Sequence, residues 1–215
     1  MGDFHLQYSA QRKAVYMPMT SKQPDKTMPA DAVVGPRQGE WTYSHYATLP
    51  DDGQRYEIVD GVLYMTPSPS GRHQEVSVCF TYHLYAHVNL KRLGKVFHAP
   101  FDLELGAYVI VQSDLMVVLN ENSHVHISSR IIGMPDLVIE ILSPGTAKYD
   151  RQQKYDAYAR AGIKECWIAD PTSCNVEIFI LEADEYHSAG IFSGEQTLNS
   201  KVLSEFSVQV KQLFA

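Results

Sequence analysis

Cysteine is scarce: Cys79, Cys166 and Cys174 are three in 215 residues, an odd number with no C-x-x-C spacing. That excludes a disulfide framework and gives no zinc motif, so buried free thiols are the expectation. Long hydrophobic runs are also lacking. No stretch reaches transmembrane length and no secretory core follows Met1, so no membrane partner is expected and the chain reads as cytoplasmic. Positive charge is in deficit, with 18 Lys and Arg against 25 Asp and Glu, a formal charge of -7. Phosphate contacts rely on clustered Lys and Arg, so this balance argues against extended, nonspecific nucleic-acid binding. It leaves room for a local face, because acids gathered at one site also add negative charge. Lys91, Arg92, Lys95, Lys148, Arg151 and Arg160 form either such a face or an ordinary solvated surface. No run combining aromatic and basic residues for stacking single strands stands out, and no internal repeat is visible.

What is present is a 45% hydrophobic chain able to bury one core. Residues 1–40 mix Gln, Ser, Lys, Pro and Gly without periodicity and read as a flexible N-terminal arm, which leaves residues 41–215 as one domain. Within it the pattern predicts a short helix over 41–49, then a hairpin over 56–65 turning at Asp60-Gly61. A long helix over 72–93 carries Val76, Phe80, Leu84 and Val88 as its core stripe and stops at Gly94. Strands are expected over 95–105 and 108–119, followed by a polar stretch over 120–133. A strand over 137–142, a helix over 149–161, strands over 165–169 and 176–181, and a peripheral remainder complete the order. This is an α/β (α+β) chain whose mixed central β-sheet is flanked by helices.

Two acids stand out within that sheet. Asp114 lies in a β-branched run and Glu140 in the apolar run Leu137–Leu142. An ionised carboxylate in a strand buried on both faces is costly unless it is paired, hydrogen-bonded or bound to a metal. Two carboxylates with water suit Mg²⁺, with Mn²⁺ as a substitute, and the ion completes its shell with phosphate oxygens. In many nucleases a lysine follows two residues after the second acid, but Leu142 stands there. On the next helix Lys154, Ala157, Tyr158 and Ala161 share one mostly apolar stripe, which points the lysine inward. The alternative is a surface pair of Lys154 with Asp150, one turn earlier.

The run Pro135-Asp136-Leu137-Val138-Ile139-Glu140-Ile141-Leu142-Ser143-Pro144, continued by Thr146, Asp150, Lys154 and Tyr158, resembles a bacterial restriction-endonuclease family of the PD-(D/E)xK nuclease superfamily, long catalogued as a domain of unknown function. Tyr56–Gly61, Pro67-Ser68-Pro69 with His73, Gln112–Leu115, and Ala161-Gly162-Ile163 leading to Trp167 and Asp170-Pro171 extend the resemblance over about residues 41–215. It implies a restriction-endonuclease-like core. It also implies that Asp114 and Glu140 are metal-binding acids, Glu57 is a further acid, and Lys154 is the catalytic lysine moved from strand to helix. The chain departs from the family in carrying Ser113 where proline usually precedes the first acid. Asp136 is a decoy: four strand residues set it about 13 Å from Glu140, too far for one Mg²⁺. It is expected to bond the local backbone.

Mg²⁺-dependent hydrolysis of DNA by a homodimer is the function the resemblance implies. His73, at the start of the long helix, either approaches the metal or a phosphate or caps the helix. Tyr158 either packs helix on sheet or joins the site. His83 and His87, at i and i+4, and His124-x-His126 lack the companions that would complete a zinc site. Two other classes stay open: a nuclease fold that binds nucleic acid or a protein without cutting, and a small-molecule enzyme or scaffold using the acids structurally.

Overall fold

Every side chain of the strand Leu137–Ile141 is buried, and both main layers of the protein are built against it. The computed structural model describes residues 24–215. Its elements begin with β1 (Met28–Pro29), α1 (Tyr43–Tyr46), β2 (Arg55–Val59), β3 (Val62–Thr66), α2 (Gly71–Val88) and β4 (Gly94–His98). Next come β5 (Leu103–Gly106), β6 (Val109–Val111), β7 (Leu115–Leu119), β8 (His126–Ile127), β9 (Ile131–Ile132) and β10 (Leu137–Ile141). Then α3 (Ala147–Tyr149), a π turn (Asp150–Lys154) and α4 (Tyr155–Ala161) lead to β11 (Glu165–Asp170), β12 (Asn175–Glu182) and β13 (Glu185–Ser193). The short strands β14 (Thr197–Leu198) and β15 (Val208–Gln209) and a tight turn over Val210–Leu213 close the chain.

The central six-stranded sheet has the order β13-β12-β11-β10-β7-β4. β10 and β11 run parallel, and the helical stretch over 147–161 makes the crossover between them. Alternate residues face opposite sides. Leu115, Val117, Leu137 and Ile139 meet the α2 stripe of Val76, Phe80, Leu84 and Val88, all fully buried. On the other side Met116, Val118 and Val138 meet Ala157 and Tyr158 of α4, together with Val59, Leu103 and Val111. The expected mixed sheet between helices is therefore present, with a second, seven-stranded sheet of order β1-β3-β2-β6-β5-β9-β8 beside it.

The long strands expected over 95–105 and 108–119 each divide between the two sheets. β4 pairs with β7 in the central sheet, and β5 pairs with β6 in the other. At the break the Gln112 N–H leaves the ladder and donates to the Glu57 carboxylate at 2.7 Å. α2 ends at Val88 rather than Leu93. The Asn89 side chain turns to accept the Val96 N–H, and Arg92 takes a positive φ of 59°. Gly94 belongs to β4, where a Cβ would strike the Val118 carbonyl. The polar stretch carries β8 and β9, and the lysine-bearing helix starts at Ala147 rather than Tyr149.

The arm expected over 1–40 needs a correction over its second half, while residues 1–23 lie outside the described part. β1 pairs with β3, Ala30 is buried, and the Thr27 N–H donates to the Gly145 carbonyl at 2.8 Å. Polar composition hid a strap held through its backbone. Of the thiols, Cys166 is buried as expected, whereas Cys79 is half-buried and Cys174 exposed.

Asp60 and Gly61 make the β2–β3 turn with φ of 53° and 72°, and the Gly61 carbonyl accepts from both Gly39 and Trp41. A Cβ on Gly61 would drive into the Gly39 carbonyl, on top of the unfavourable φ. Gly61→Ala is expected to cost about 1–3 kcal/mol in urea unfolding; an unchanged midpoint would show that the strap is not fastened there.

Candidate active site

Where β6 gives way to β7, the backbone turns three residues, Gln112, Ser113 and Asp114, toward the end of β10. Asp114 takes up the Ile141 N–H on Oδ2 at 2.8 Å, and the same oxygen meets Nε2 of His73 at 3.1 Å. His73 is set by the first turn of α2, where its N–H donates to the capping Ser70 hydroxyl. On β10, Glu140 receives three donors on Oε1: the Tyr158 hydroxyl at 2.5 Å, the Ser113 hydroxyl at 2.7 Å and Nζ of Lys154 at 2.8 Å.

Lys154 comes from the π turn, in which the Tyr155 N–H reaches back to the Asp150 carbonyl. Such wide turns recur at functional sites because they redirect the side chains they carry. The ammonium points inward and is 3% exposed. Besides Glu140 it contacts the Gln112 carbonyl at 3.3 Å, Glu57 Oε1 at 3.4 Å and Asp150 Oδ1 at 4.0 Å. The Asp150 contact exists, but in the interior, so the surface pair of Lys154 and Asp150 is corrected. The structure thus brings Glu57, Asp114, Glu140, Lys154, His73 and Tyr158 around one narrow cavity or its immediate wall. The cavity holds about 30 Å³ between the Pro67–Pro69 and Ser143–Thr146 loops.

Four buried carboxylates, Glu57, Asp114, Glu140 and Asp150, share one buried ammonium. Desolvation raises the pKa of Glu140 against the pull of Lys154, with the Asp114 charge adding to the rise. Asp150 is pushed well above the ordinary carboxylate range by desolvation and then by Glu140. Desolvation works against the charge on Lys154, yet Glu140, Glu57, Asp150 and Asp114 together hold it well above the usual lysine value. We read Lys154 as a cation at neutral pH, in a cluster where acids outnumber bases and Glu140 and Asp150 hold protons more readily than ordinary carboxylates. Burial, reinforced by Glu140, lifts the Tyr158 hydroxyl well above its ordinary value, so it stays a proton donor.

Three members of the cluster escaped the sequence reading. Asp150 was visible as the i−4 partner of Lys154, but its burial was not. Ser113, noted only as a departure from proline, bridges Glu140 and Tyr158, the latter at 2.9 Å. Arg55 lies two residues before Glu57 on β2, reaches the Gln112 amide oxygen at 3.4 Å and lines the cavity; period-two alternation could have found it. Elsewhere, Asp136 bonds the Leu119 N–H and pairs with Lys164, as a local brace. His87 contacts the Ser204 carbonyl and packs edge-on against Phe206, so it fastens the C-terminal segment. Arg151 and Arg160 are paired with Glu177 and Asp60, which thins the basic face drawn from sequence. Among the described residues, no three His, Cys, Asp or Glu side chains stand ready-made as a metal cage, and no helix is long and apolar enough to cross a membrane.

Comparison with known proteins bears on this geometry. A family model described as "Uma2: Putative restriction endonuclease" matches residues 43–211. A solved structure of a "putative nuclease belonging to DUF820" from Anabaena variabilis ATCC 29413 shares the fold with a TM-score of 0.68 at 20% identity. The match covers 80% of this chain and 97% of that one. No curated protein matches.

The surplus of acid has a measurable consequence without metal. Asp150 and Glu140 bind protons more tightly folded than unfolded. Their stabilising share is therefore fullest below the unfolded values of about 4 and is lost as pH rises through the raised folded values. Lys154, whose proton affinity is also raised, follows the same sign in a higher window: its share is present below about 10.4 and is lost only above its raised value. Asp150→Asn is expected to raise the neutral-pH midpoint in EDTA by on the order of 1 kcal/mol, about 2–4 °C at this size, in differential scanning calorimetry. A lower midpoint would mean that Lys154 needs the fourth charge.

Proposed function

Because the chain belongs to the Uma2 restriction-endonuclease-like family, we propose that the acid cavity is the catalytic centre of a Mg²⁺-dependent endonuclease acting on DNA. The observation that carries this reading is the buried set of four carboxylates around one lysine, open toward the protein surface through the cavity. The donor set fits a hard divalent cation: carboxylates and a main-chain carbonyl without a thiolate, in negative excess. Asp114 and Glu140 would hold it, with Glu57 as the further acid and Mn²⁺ as a substitute. Bound there, the cation would supply Lewis acidity toward the phosphate and a more acidic water.

The protein's own residues divide the remaining work. Lys154, charged and fixed by Glu140 and Glu57, acts as a proton-bearing donor that positions water and stabilises charge on the phosphate, rather than as a general base. Tyr158 and Ser113 hold the Glu140 carboxylate in one orientation, and the Ile141 N–H and His73 do the same for Asp114. Paired cuts in a duplex would call for two copies about a two-fold axis. Two features favour a second reading, a nuclease fold that binds nucleic acid without cutting: Lys154 is already engaged by Glu140 at 2.8 Å, and Leu142 stands where many nucleases carry their lysine.

The test uses circular DNA, single- or double-stranded, with Mg²⁺ or Mn²⁺, and metal titration by calorimetry. Asp114→Ala and Glu140→Ala are expected to abolish metal binding and cleavage together. Lys154→Met should lower the cleavage rate by about 10²- to 10³-fold with metal binding retained. Cleavage that survives in either acid variant would overturn the proposal, and tight DNA binding without cleavage by the wild type would establish the second reading.

A further inference from the structure

Buried polar atoms without a hydrogen-bond partner are uncommon in folded chains. Among the described residues, three of them line the acid cavity: Nε of Arg55, Nδ1 of His73 and the hydroxyl of Tyr149. An arginine Nε–H is a donor and a tyrosine hydroxyl can donate, so two of these atoms suit the oxygens of an anion. Arg55 and His73, with Pro69 and Asp114, also line a second and much larger cavity, a groove of about 680 Å³ along the outer face of α2. The two spaces are therefore neighbours, with these four residues as their common wall. On that face Tyr82 and Tyr85 are 68% and 49% exposed, and Val78 and Leu90 extend the same apolar stripe. The outward face of a helix whose other side fills the core is ordinarily polar.

We propose that groove and acid cavity form one channel for a nucleic-acid strand whose bases are unpaired. The scissile phosphate lies over Arg55 at the mouth of the acid cavity, and flanking bases stack on Tyr82 and Tyr85. The inference rests on the nuclease reading and names its substrate class. At about 30 Å³ the acid cavity is too narrow to admit a phosphodiester, so the phosphate sits at its mouth, where Arg55 belongs to both spaces. A duplex hides its base faces and presents rows of phosphate, which ask for rows of Lys and Arg. The groove wall carries no lysine, and its Arg55, His73 and His98 stand among rings and aliphatic side chains. An unpaired strand offers base faces, which stack on tyrosine whatever the sequence.

The experiment measures fluorescence anisotropy of a labelled oligothymidylate and of an equally long duplex, with Ca²⁺ so that binding is read without cutting. Wild type, Tyr82→Ala/Tyr85→Ala and Tyr82→Phe/Tyr85→Phe are compared, with light scattering on each. The expected result is tighter binding of the single strand, weakened about tenfold or more by the alanine pair and retained by the phenylalanine pair, at unchanged mass. Equal or tighter duplex binding, or indifference to the alanine pair, would overturn the proposal. So would a fall in mass with the alanine pair, which would make a second copy the occupant of the groove. Failure here stays distinct from failure of the nuclease reading. Glu140-dependent cutting that ignores the tyrosines sinks only this proposal, whereas tyrosine-dependent strand binding without cutting sinks only catalysis.

Discussion

Lys154 reaches into the interior to meet Glu140, and the local architecture is arranged so that this contact can exist. A lone charge there would be prohibitively desolvated, and an ion pair in low dielectric persists only when its remaining hydrogen-bonding capacity is met. Ser113 and Tyr158 meet it for Glu140, and the Gln112 carbonyl does so for Lys154. The π turn that delivers the lysine and the strand break that delivers Ser113 are irregularities with one outcome: each swaps regular backbone pairing for a side chain aimed inward.

The same cluster sets stability against function. Lys154 and Arg55 do not match four carboxylates, and the resting protein carries the imbalance through raised proton affinity at Glu140 and Asp150. Sites that must receive a cation are commonly built with such a deficit, and the surrounding core offsets its cost. Here that core is close at hand. Fully buried Phe80 and Leu84 back the sheet on one face, and Tyr158 and Ile163 on the other.

The sheet between two helical layers was legible because Val76, Phe80, Leu84 and Val88 repeat every four residues and the Glu140 strand is apolar except for its acid. Glu57, Asp114, Glu140 and Lys154 were legible as isolated anomalies, acids or a cation in apolar surroundings, and the resemblance tied them together. What escaped was set by long-range contacts. Residues 24–40 look featureless because backbone pairing with β3 leaves no hydrophobic period. The split of the 108–119 strand depends on Glu57, more than fifty positions earlier in the chain, taking the Gln112 N–H. The exposed rings of Tyr82 and Tyr85 acquire meaning only beside Arg55, which arrives from another strand.

The hydrogen bond from Thr27 to Gly145 ties the strap to the loop that carries Ser143 and Thr146 on the cavity wall. A Cβ on Gly145 would stand 2.7 Å from the Asp25 carbonyl oxygen, so the two backbones are in contact. The chain therefore begins its described course at the rim of the acid cavity. Loosening the strap would therefore loosen the loop that bears Ser143 and Thr146, so access to the interior is tied to a segment that places no side chain in the cavity.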